Sequence, residues 1–186
     1  ALTTLMPNGQ PQTTPVWCDF DGTYVRVNTM RGFRKEKNMR ANPKVTLLCY
    51  DPREPLRSLE IRGEVIEMTE DGAMDHLDHL TFSYTGRKPY FGACVPADLR
   101  EKETPTLCKI APMHVVPLDA RKKNGQTTTP LKSHPQLNDL TKSPIPASHL
   151  DLLTRPIHAV LTTLMPDGQP QSSLVWCDFD GEYASV

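Results

Sequence analysis

The sequence predicts a mainly β fold of the α+β class, in which short antiparallel strands close into a small barrel and carry two inserted helices. Three observations support this prediction. Short segments alternate apolar and polar side chains, as strands with one buried face do. Turn residues such as Asn8-Gly9 separate these segments. Two segments between the strands have helical periodicity instead. Six or seven such strands close best into a barrel, which limits free sheet edges.

A long internal repeat indicates the domain organisation. Residues 2–27 return as residues 161–186, with 19 identities in 26 positions and an offset of 159 residues. A period of this size is that of a whole domain rather than of a solenoid repeat. We therefore expect residues 1–120 to form one domain, residues 121–146 to be a linker, and residues 147–186 to be the first portion of a second copy.

The first copy is predicted to open with a hairpin. Residues 2–18 alternate apolar and polar side chains on both sides of Asn8-Gly9. This dipeptide favours a two-residue hairpin turn with positive φ. A second turn at 19–22 leads into a strand at 23–28, so a three-stranded meander is predicted at the start of each copy.

The rest of the first copy contains both predicted helices. Thr29 is placed to cap a short, strongly basic helix over 30–40, which Asn42-Pro43 ends. The second helix starts among acidic residues, as the helix dipole favours. The remaining predicted elements are strands at 44–50 and 58–68, the second helix at 70–84, a loop with one helical turn at 87–103, and strands at 106–111 and 113–118.

The composition excludes several classes of function. With 21 Lys and Arg against 22 Asp and Glu, the chain lacks the basic excess of a nucleic-acid-binding domain. No apolar run approaches the roughly 20 residues of a membrane span, so we expect no membrane partner. The five cysteines have no metal-ligand spacing and are typical of reduced thiols in a cytoplasmic protein. His76 and His79 lack a third ligand, so they are interpreted as ordinary surface histidines and no metal site is expected.

The most chemically loaded segment is the basic start of the first predicted helix. Arg31, Arg34, Lys35 and Asn38 lie on or just before its first two turns, where backbone N–H groups and the helix dipole favour an anion. Arg and Lys bind phosphate through charge-assisted hydrogen bonds, and Asn adds a neutral donor. A solvated basic helix face has the same pattern. The residues alone leave both interpretations open.

Four motifs of the first copy carry a family resemblance. They are PNGQPQTTPVWCDFDG, TMRGFRKEKNMRANPKVTLLCYDP, LEIRGEVIEMTEDGA and LDHLTFSYTGRKPYFG. In this order and spacing they resemble the split-barrel flavin and deazaflavin oxidoreductases, the superfamily of pyridoxamine 5'-phosphate oxidase. The chain is most similar to the branch of probable coenzyme F420-dependent enzymes. The resemblance covers residues 1–119 and again residues 145–186, and it implies a six-stranded split barrel that pairs as a two-fold dimer with the cofactor in grooves between protomers.

The resemblance also implies a phosphate site on the basic helix. In the family, the corresponding Arg, Lys and Asn residues contact the phosphate of the cofactor. Phosphate binding is therefore preferred over a solvated helix face, with Lys35 and Asn38 as the first candidates and Arg31 and Arg34 behind them.

The strand of Thr14, Pro15, Val16 and Trp17 is the second candidate for cofactor binding. In the family this strand passes the cofactor ring and offers it backbone groups and a flat wall. A Val-Trp pair on an alternating strand is also typical of simple core packing. The two interpretations have equal weight.

The activity that the resemblance implies is hydride transfer between coenzyme F420 and a small conjugated organic substrate. Because the cofactor does the chemistry, no acid or base residue is required and no catalytic residue is assigned. FMN in place of F420, as in a pyridoxamine 5'-phosphate oxidase-like oxidoreductase, is the alternative within this class. A non-catalytic flavin- or heme-binding module is the alternative from another class.

The repeat predicts how the barrels pair. Two copies in one chain would make the dimer partner intramolecular, at an effective concentration near millimolar for a short flexible linker; a homodimer is the other arrangement. Residues 148–186 are too few to bury a core alone. We expect them to belong to a second barrel packed two-fold against the first, or, alternatively, to be swapped into the first barrel of a neighbouring chain.

Overall fold

The computed structural model describes residues 1–119, 158–179 and 184–185. The linker predicted over residues 121–146 lies outside the described residues. The first copy forms one antiparallel sheet of seven strands, one more than the resemblance implies. Its strands are β1 (Leu2–Leu5), β2 (Pro11–Thr14), β3 (Cys18–Phe20), β4 (Val25–Met30), β5 (Lys44–Asp51), β6 (Glu54–Thr69) and β7 (Pro105–Asp119).

The order of the strands shows that the sheet is curled into a barrel. The order is β2-β1-β5-β6-β7-β4-β3, so β2 and β3 lie at its two ends. Seven flat strands would place these ends about 29 Å apart. The connection from Thr14 to Cys18 has four Cα steps and spans at most about 15 Å. The sheet must therefore curve until its ends are close, and because β2 and β3 do not pair, the barrel is split.

The three-stranded meander predicted at the start of the chain is wrong, because β2 does not pair with the next strand. The structure has two separate hairpins, β1–β2 and β3–β4, which pair with opposite sides of the β5-β6-β7 sheet. The apolar side chains of these strands meet inside the barrel. Its core consists of Leu2, Val25, Val27, Met39, Val45, Leu47, Ile61, Cys108 and Ile110.

The helices lie outside the sheet and differ from the prediction mainly at their starts. Helix α1 runs over Arg34–Ala41, α2 over Ala73–Thr85 and α3 over Tyr90–Ala93, and a 3-10 helix covers Ala97–Glu101. Thr29 does not cap α1, because β4 continues through Thr29 and Met30 to pair with β7. None of the helices in these residue ranges is long and apolar enough to cross a membrane.

The last two predicted strands are one strand with a bulge. In the β6–β7 ladder, Arg62 pairs with His114 while the next residue, Gly63, pairs with Pro112. Met113 is the extra residue, and its side chain is exposed. A bulge leaves one residue unpaired and bends the strand, which is why the sequence pattern breaks between 111 and 113.

The turn of the first hairpin contains more residues than predicted. The Met6 N–H donates to the Gln10 carbonyl (2.9 Å), and the Gly9 N–H donates to the Met6 carbonyl (2.8 Å). The loop enclosed by the Met6–Gln10 pair therefore has three residues rather than two. Gly9 has a φ of 82°, so the positive φ predicted for the turn is confirmed.

Replacement of Gly9 by Val is expected to lower the free energy of unfolding by about 1–2 kcal/mol, the cost of a left-handed conformation for a residue with a Cβ. No atom lies within 4 Å of a Cβ built at Gly9, so the effect isolates backbone strain. Thermal melting measures it. Gly9→Asn is the matched control, because Asn tolerates this conformation better. A Val variant as stable as the parent would contradict the turn geometry.

The second copy repeats the first hairpin with the same register. Strands β8 (His158–Leu164) and β9 (Pro170–Trp176) form one two-stranded sheet, and β10 (Asp178–Phe179) and β11 (Ala184–Ser185) form another. Leu161 pairs with Ser173, as Leu2 pairs with Thr14 at the repeat offset of 159 residues.

Hydroxyl groups join the two hairpins with approximate two-fold symmetry. Thr3 and Thr13 are equivalent to Thr162 and Ser172 in the second copy. The Oγ1 atom of Thr3 lies 3.1 Å from the Ser172 Oγ, and the Oγ1 atom of Thr13 lies 3.0 Å from the Thr162 Oγ1. Thr3 and Thr162, which are equivalent to each other, are 3.2 Å apart. Reciprocal contacts of this kind characterise an isologous interface.

Contacts outside the hydroxyl cluster extend this interface over β5 and β6. The Ser172 N–H donates to the Glu60 carboxylate (2.8 Å), and the Gln169 amide donates to the Val45 carbonyl (2.8 Å). Glu60 is buried and also pairs with Arg62 (3.2 Å). The buried carboxylate of Glu60 thus has two partners, the Ser172 N–H group and Arg62, which makes this contact specific.

Candidate functional site

A groove of about 260 Å³ lies between the β2–β3 connection, the end of β4 and the helices α1, α2 and α3. Its walls combine aromatic, aliphatic and polar side chains with one cation. The residues that line it are Pro15, Val16, Trp17, Asn28, Thr29, Met30, Phe33, Lys35, Leu77, Leu80 and Tyr90.

Lys35 is the cation of this groove. It lies in the first turn of α1, where backbone N–H groups have no intrahelical acceptor. Burial lowers the pKa of its ammonium group below the usual value. In the described part of the chain no carboxylate forms an ion pair with it, in contrast to the neighbouring Arg31 and Arg40. A half-buried cation without a counter-ion is a site for an anion.

Polar atoms without partners lie on the same wall. The Oδ1 atom of Asn28 and the Oγ1 atom of Thr29 are buried and form no hydrogen bond with any described residue, and the same holds for the Oγ1 atom of Thr14. Each buried polar atom without a partner costs about 1–3 kcal/mol. Such atoms are rare in folded proteins and are often found at functional sites.

Aromatic side chains also line the groove. The Trp17 ring stacks on Tyr84, with centroids 5.4 Å apart, and meets Tyr90 edge-on at 6.3 Å. The Tyr84 hydroxyl accepts from the Cys18 N–H (3.2 Å) and donates to the Cys18 carbonyl (3.0 Å). These two hydrogen bonds fix the backbone next to Trp17. The flat face of the indole ring is therefore held in place at the groove.

A partly buried charge cluster adjoins Asn28 of the groove. Arg26 makes two hydrogen bonds with Asp19, at 2.8 and 2.7 Å. Burial would raise the pKa of Asp19, but hydrogen bonds from Arg26 and His76 lower it. His76 and His79 lie 3.3 and 3.7 Å from this carboxylate. His76 is thus not the surface histidine that the sequence predicted, because it is buried against Asp19.

Asn28 takes its orientation from this cluster. Its amide nitrogen donates to the Ala73 carbonyl (2.8 Å) and lies 3.3 Å from the His76 Nδ1. Burial lowers the pKa of His76, which favours the neutral ring that can accept this hydrogen bond. A carbonyl can only accept, so the amide nitrogen is fixed and the Oδ1 atom of Asn28 is left without a donor. Among the described residues, no three His, Cys, Asp or Glu side chains are grouped as a metal site.

The structure brings some of the predicted site residues together. Pro15, Val16 and Trp17 line the same groove as Lys35, although they are 18 or more positions away in the chain. Thr14 precedes them at the end of β2, where its Oγ1 atom is buried.

The other three predicted residues lie elsewhere. Arg31 precedes α1 and forms an exposed ion pair with Glu70. Arg34 is exposed on α1. Asn38 is buried, and its amide donates to the Thr4 hydroxyl (3.0 Å) and the Gln12 side chain (3.1 Å).

Several groove residues were not singled out by the sequence. Asn28 is the last residue of the strand predicted over 23–28, and Thr29 lines the groove because β4 continues past that predicted end. Tyr90 reaches it from α3, whose first N–H group donates to the Asp78 carboxylate (2.7 Å). Asp78 and Tyr90 are twelve residues apart in the chain. This spacing matches no local sequence pattern, so the sequence alone did not reveal the contact.

Comparisons with known proteins support the fold. A family profile described as Pyridoxamine 5'-phosphate oxidase matches residues 1–115. A solved structure described as "F420 Reductase" is similar with a TM-score of 0.53 and 28% identity, over 62% of this chain and 86% of that one.

A second solved structure is a conserved hypothetical protein from Mycobacterium tuberculosis, with a TM-score of 0.48 and 25% identity over 71% of this chain and 83% of that one. No curated protein sequence matches the chain significantly.

Proposed function

The chain belongs to the pyridoxamine 5'-phosphate oxidase family, and from this premise we propose that it binds coenzyme F420 in the groove beside Lys35 and transfers hydride to a small conjugated organic molecule. The fold is that of the split-barrel flavin and deazaflavin oxidoreductases. F420 is preferred to FMN because a solved structure of 28% identity is described as an F420 reductase.

The observation that carries the proposal is the half-buried ammonium group of Lys35, which forms no ion pair with any residue that the structure describes. A phosphate would neutralise this cation and accept hydrogen bonds from the free N–H groups of the first turn of α1. Arg34 is exposed one position earlier and extends the positive charge towards the surface. Arg31 and Asn38 would act indirectly, Arg31 through its ion pair with Glu70 and Asn38 by fixing α1 on Thr4 and Gln12.

The remaining walls of the groove suit a flat heterocycle. Trp17 and Tyr90 offer aromatic surface, and Leu77 and Leu80 offer aliphatic surface. The unpartnered atoms of Asn28 and Thr29 fit a ligand that carries hydrogen-bond donors. F420 or FMN supplies the hydride chemistry when bound. The protein residues then hold the ring, neutralise the phosphate and exclude water, and no acid or base is needed among them.

The small size of the groove supports the proposal that one barrel supplies only part of the site. Its volume of about 260 Å³ lies below the roughly 300–1,000 Å³ of typical ligand pockets. A site completed by a second barrel agrees with the reciprocal contacts between Thr3, Thr13, Thr162 and Ser172. We propose that the two copies pair as an intramolecular pseudo-dimer, with residues 1–120 as one domain, 121–146 as the linker and 147–186 as part of the second copy. The cytoplasmic location stays a prediction.

Titration of the purified protein with F420 and with FMN tests the cofactor. We expect F420 fluorescence to be quenched on binding, with FMN binding at least about tenfold more weakly, which is about 1.4 kcal/mol. Protein that is purified yellow with bound FMN would instead identify the FMN-dependent oxidoreductase. A Soret band would identify the heme-binding module, and binding of neither cofactor would contradict the proposal.

The pairing of the copies has its own test. Thr162→Arg is expected to loosen the β8–β9 hairpin, because the Thr162 hydroxyl contacts Thr3, Thr13 and Ser172. Loss of these contacts should speed amide exchange of Ser172 by about tenfold or more, corresponding to roughly 1.4 kcal/mol of local opening free energy. Ser173→Arg is the matched control, because Ser173 is exposed on β9, the other strand of the same hairpin. Equal exchange in both variants would contradict the pairing.

A further inference from the structure

The side-chain amide of Asn28 has its nitrogen turned towards α2. This nitrogen donates to the Ala73 carbonyl (2.8 Å) and lies 3.3 Å from the Nδ1 atom of His76. An amide nitrogen carries two protons, so these two contacts use both of them. The side-chain oxygen is the polar atom that remains, and it is buried without a hydrogen bond to any described residue. Because Asn28 lines the groove, this oxygen is an acceptor available to a ligand there.

The tautomer of His76 follows from its second contact. Its Nε2 atom lies 3.3 Å from a carboxylate oxygen of Asp19. Arg26 donates two hydrogen bonds to the same carboxylate, at 2.8 and 2.7 Å, which favours its ionised form. An ionised carboxylate only accepts, so the ring proton belongs on Nε2, and the bare Nδ1 atom accepts from Asn28. The opposite tautomer would set two acceptors against each other at Asp19 and two donors against each other at Asn28.

Three charged or titratable groups surround the His76 ring. Asp19 on β3 favours the charged ring, whereas Arg26 on β4 and His79 on α2 oppose it. Burial is the largest effect, and it lowers the pKa of His76 below its usual value. The ring is therefore neutral at neutral pH, as its role of acceptor for Asn28 requires.

We propose that Asn28 selects the ligand of the groove by accepting a hydrogen bond from an imide or lactam N–H group of a flat heterocycle, and that His76 is the positioning residue that holds the Asn28 amide in this orientation. This role of Asn28 rests on the proposed function, because the rings of F420 and FMN both carry an imide N–H group. Asp19 acts one step further back, by fixing the tautomer of His76.

A hydrogen bond to Asn28 would give the groove a discrimination that its apolar walls lack. Trp17, Leu77 and Leu80 offer surface to any flat ring of suitable size. A site built to accept from an N–H group, in contrast, keeps an unpaired acceptor when the ligand has no such donor. Asn28 therefore fixes which edge of the ring enters the groove, while the apolar side chains hold its faces.

Binding of a matched pair of ligands to the full chain tests the role of Asn28. The ligands are the deazaflavin core of F420 and its N3-methyl derivative, which lacks the imide proton. Neither carries a phosphate, so a contact between phosphate and Lys35 contributes to neither affinity. We expect methylation to weaken binding to the parent by about fivefold or more, but to change binding to Asn28→Leu much less. Equal effects in both proteins would overturn the role of Asn28 alone, whereas a parent that binds neither the core nor F420 would overturn the proposed function as well.

The pH dependence of F420 affinity tests the role of His76. A proton on Nδ1 would oppose the Asn28 amide nitrogen, and a reversed amide would set its oxygen against the Ala73 carbonyl. Because burial lowers the His76 pKa, the affinity of the parent should hold at neutral pH and fall only below about pH 6.5, the ordinary pKa of histidine. His76→Leu should weaken binding by about fivefold or more at neutral pH. His76→Asn, whose side-chain oxygen can accept in place of Nδ1, should restore binding and remove the fall at low pH.

A control variant and a measurement without ligand complete the test. His79→Leu is the control, because His79 is exposed, lies 3.7 Å from the same Asp19 carboxylate and does not line the groove. It should keep the fall at low pH and an affinity within about twofold of the parent. Nitrogen-15 NMR of histidine-labelled protein should show the His76 proton on Nε2 at neutral pH. A proton on Nδ1, or a fall in affinity at low pH that persists in His76→Asn, would overturn the positioning role.

Discussion

Replacement of Gly63 by Val is expected to prevent the barrel from folding. A Cβ at this position would lie 2.3 Å from the Ala111 carbonyl oxygen and 2.9 Å from the Ile110 Cγ2 atom. The first neighbour is backbone of the paired strand β7, next to the bulge at Met113, so it cannot turn away as a flexible side chain would. The strand would have to separate. We expect a loss of more than about 4 kcal/mol, which is exceptional for a single substitution.

Circular dichroism and denaturant unfolding measure this loss. The exposed neighbour Glu64 provides the control, because Glu64→Val adds a branched side chain to the same strand without a backbone clash. Gly63→Ala tests the clash with the smallest possible side chain. An Ala variant that unfolds at the parent's denaturant midpoint would contradict the close approach of β6 and β7.

The second large effect is expected for Lys35→Ala. Loss of the charge-assisted contact should weaken cofactor binding by about 1–3 kcal/mol, or roughly 5- to 160-fold. The fold should persist, because Lys35 pairs with no carboxylate in the described residues and its burial opposes the charged form. Isothermal titration with F420 measures the affinity.

Lys37→Ala is the matched control for the lysine. It removes the same charge from the same helix, but Lys37 is exposed and does not line the groove. Salt screening reduces any long-range effect of an exposed charge. The affinity of the Lys37→Ala variant for F420 should therefore stay within about twofold of that of the parent. Equal losses in the two variants would show a general effect of charge rather than a contact at Lys35.

The sequence predicts the local parts of this fold better than its long-range pairing. The alternating segments correctly identify β5 and β6, because their apolar faces follow from spacing alone. The start of α1 was predicted too early, since pairing of Met30 with Pro105 keeps that segment in β4. Such pairing depends on residues 75 positions away. No local propensity shows that a strand will continue for that reason.

The residues of the candidate site also fall into two groups, those that local sequence features identify and those that only tertiary contacts bring to the groove. Lys35 is identifiable from the basic start of a helix, and Trp17 from a family motif. Asn28 and Tyr90 enter the groove only through tertiary contacts with Ala73, His76 and Asp78. Their side chains have no distinguishing pattern in the sequence, so only the folded chain places them beside Lys35.

One thermodynamic cycle tests the central proposal that Lys35 holds the cofactor phosphate. The affinities of the parent and Lys35→Ala are measured for F420 and for its deazaflavin core without the phosphate-bearing chain. The account predicts that removal of the phosphate chain weakens binding to the parent by about tenfold or more, but changes binding to Lys35→Ala much less, a coupling of at least roughly 1.4 kcal/mol. Equal effects of the phosphate chain in both proteins would contradict it.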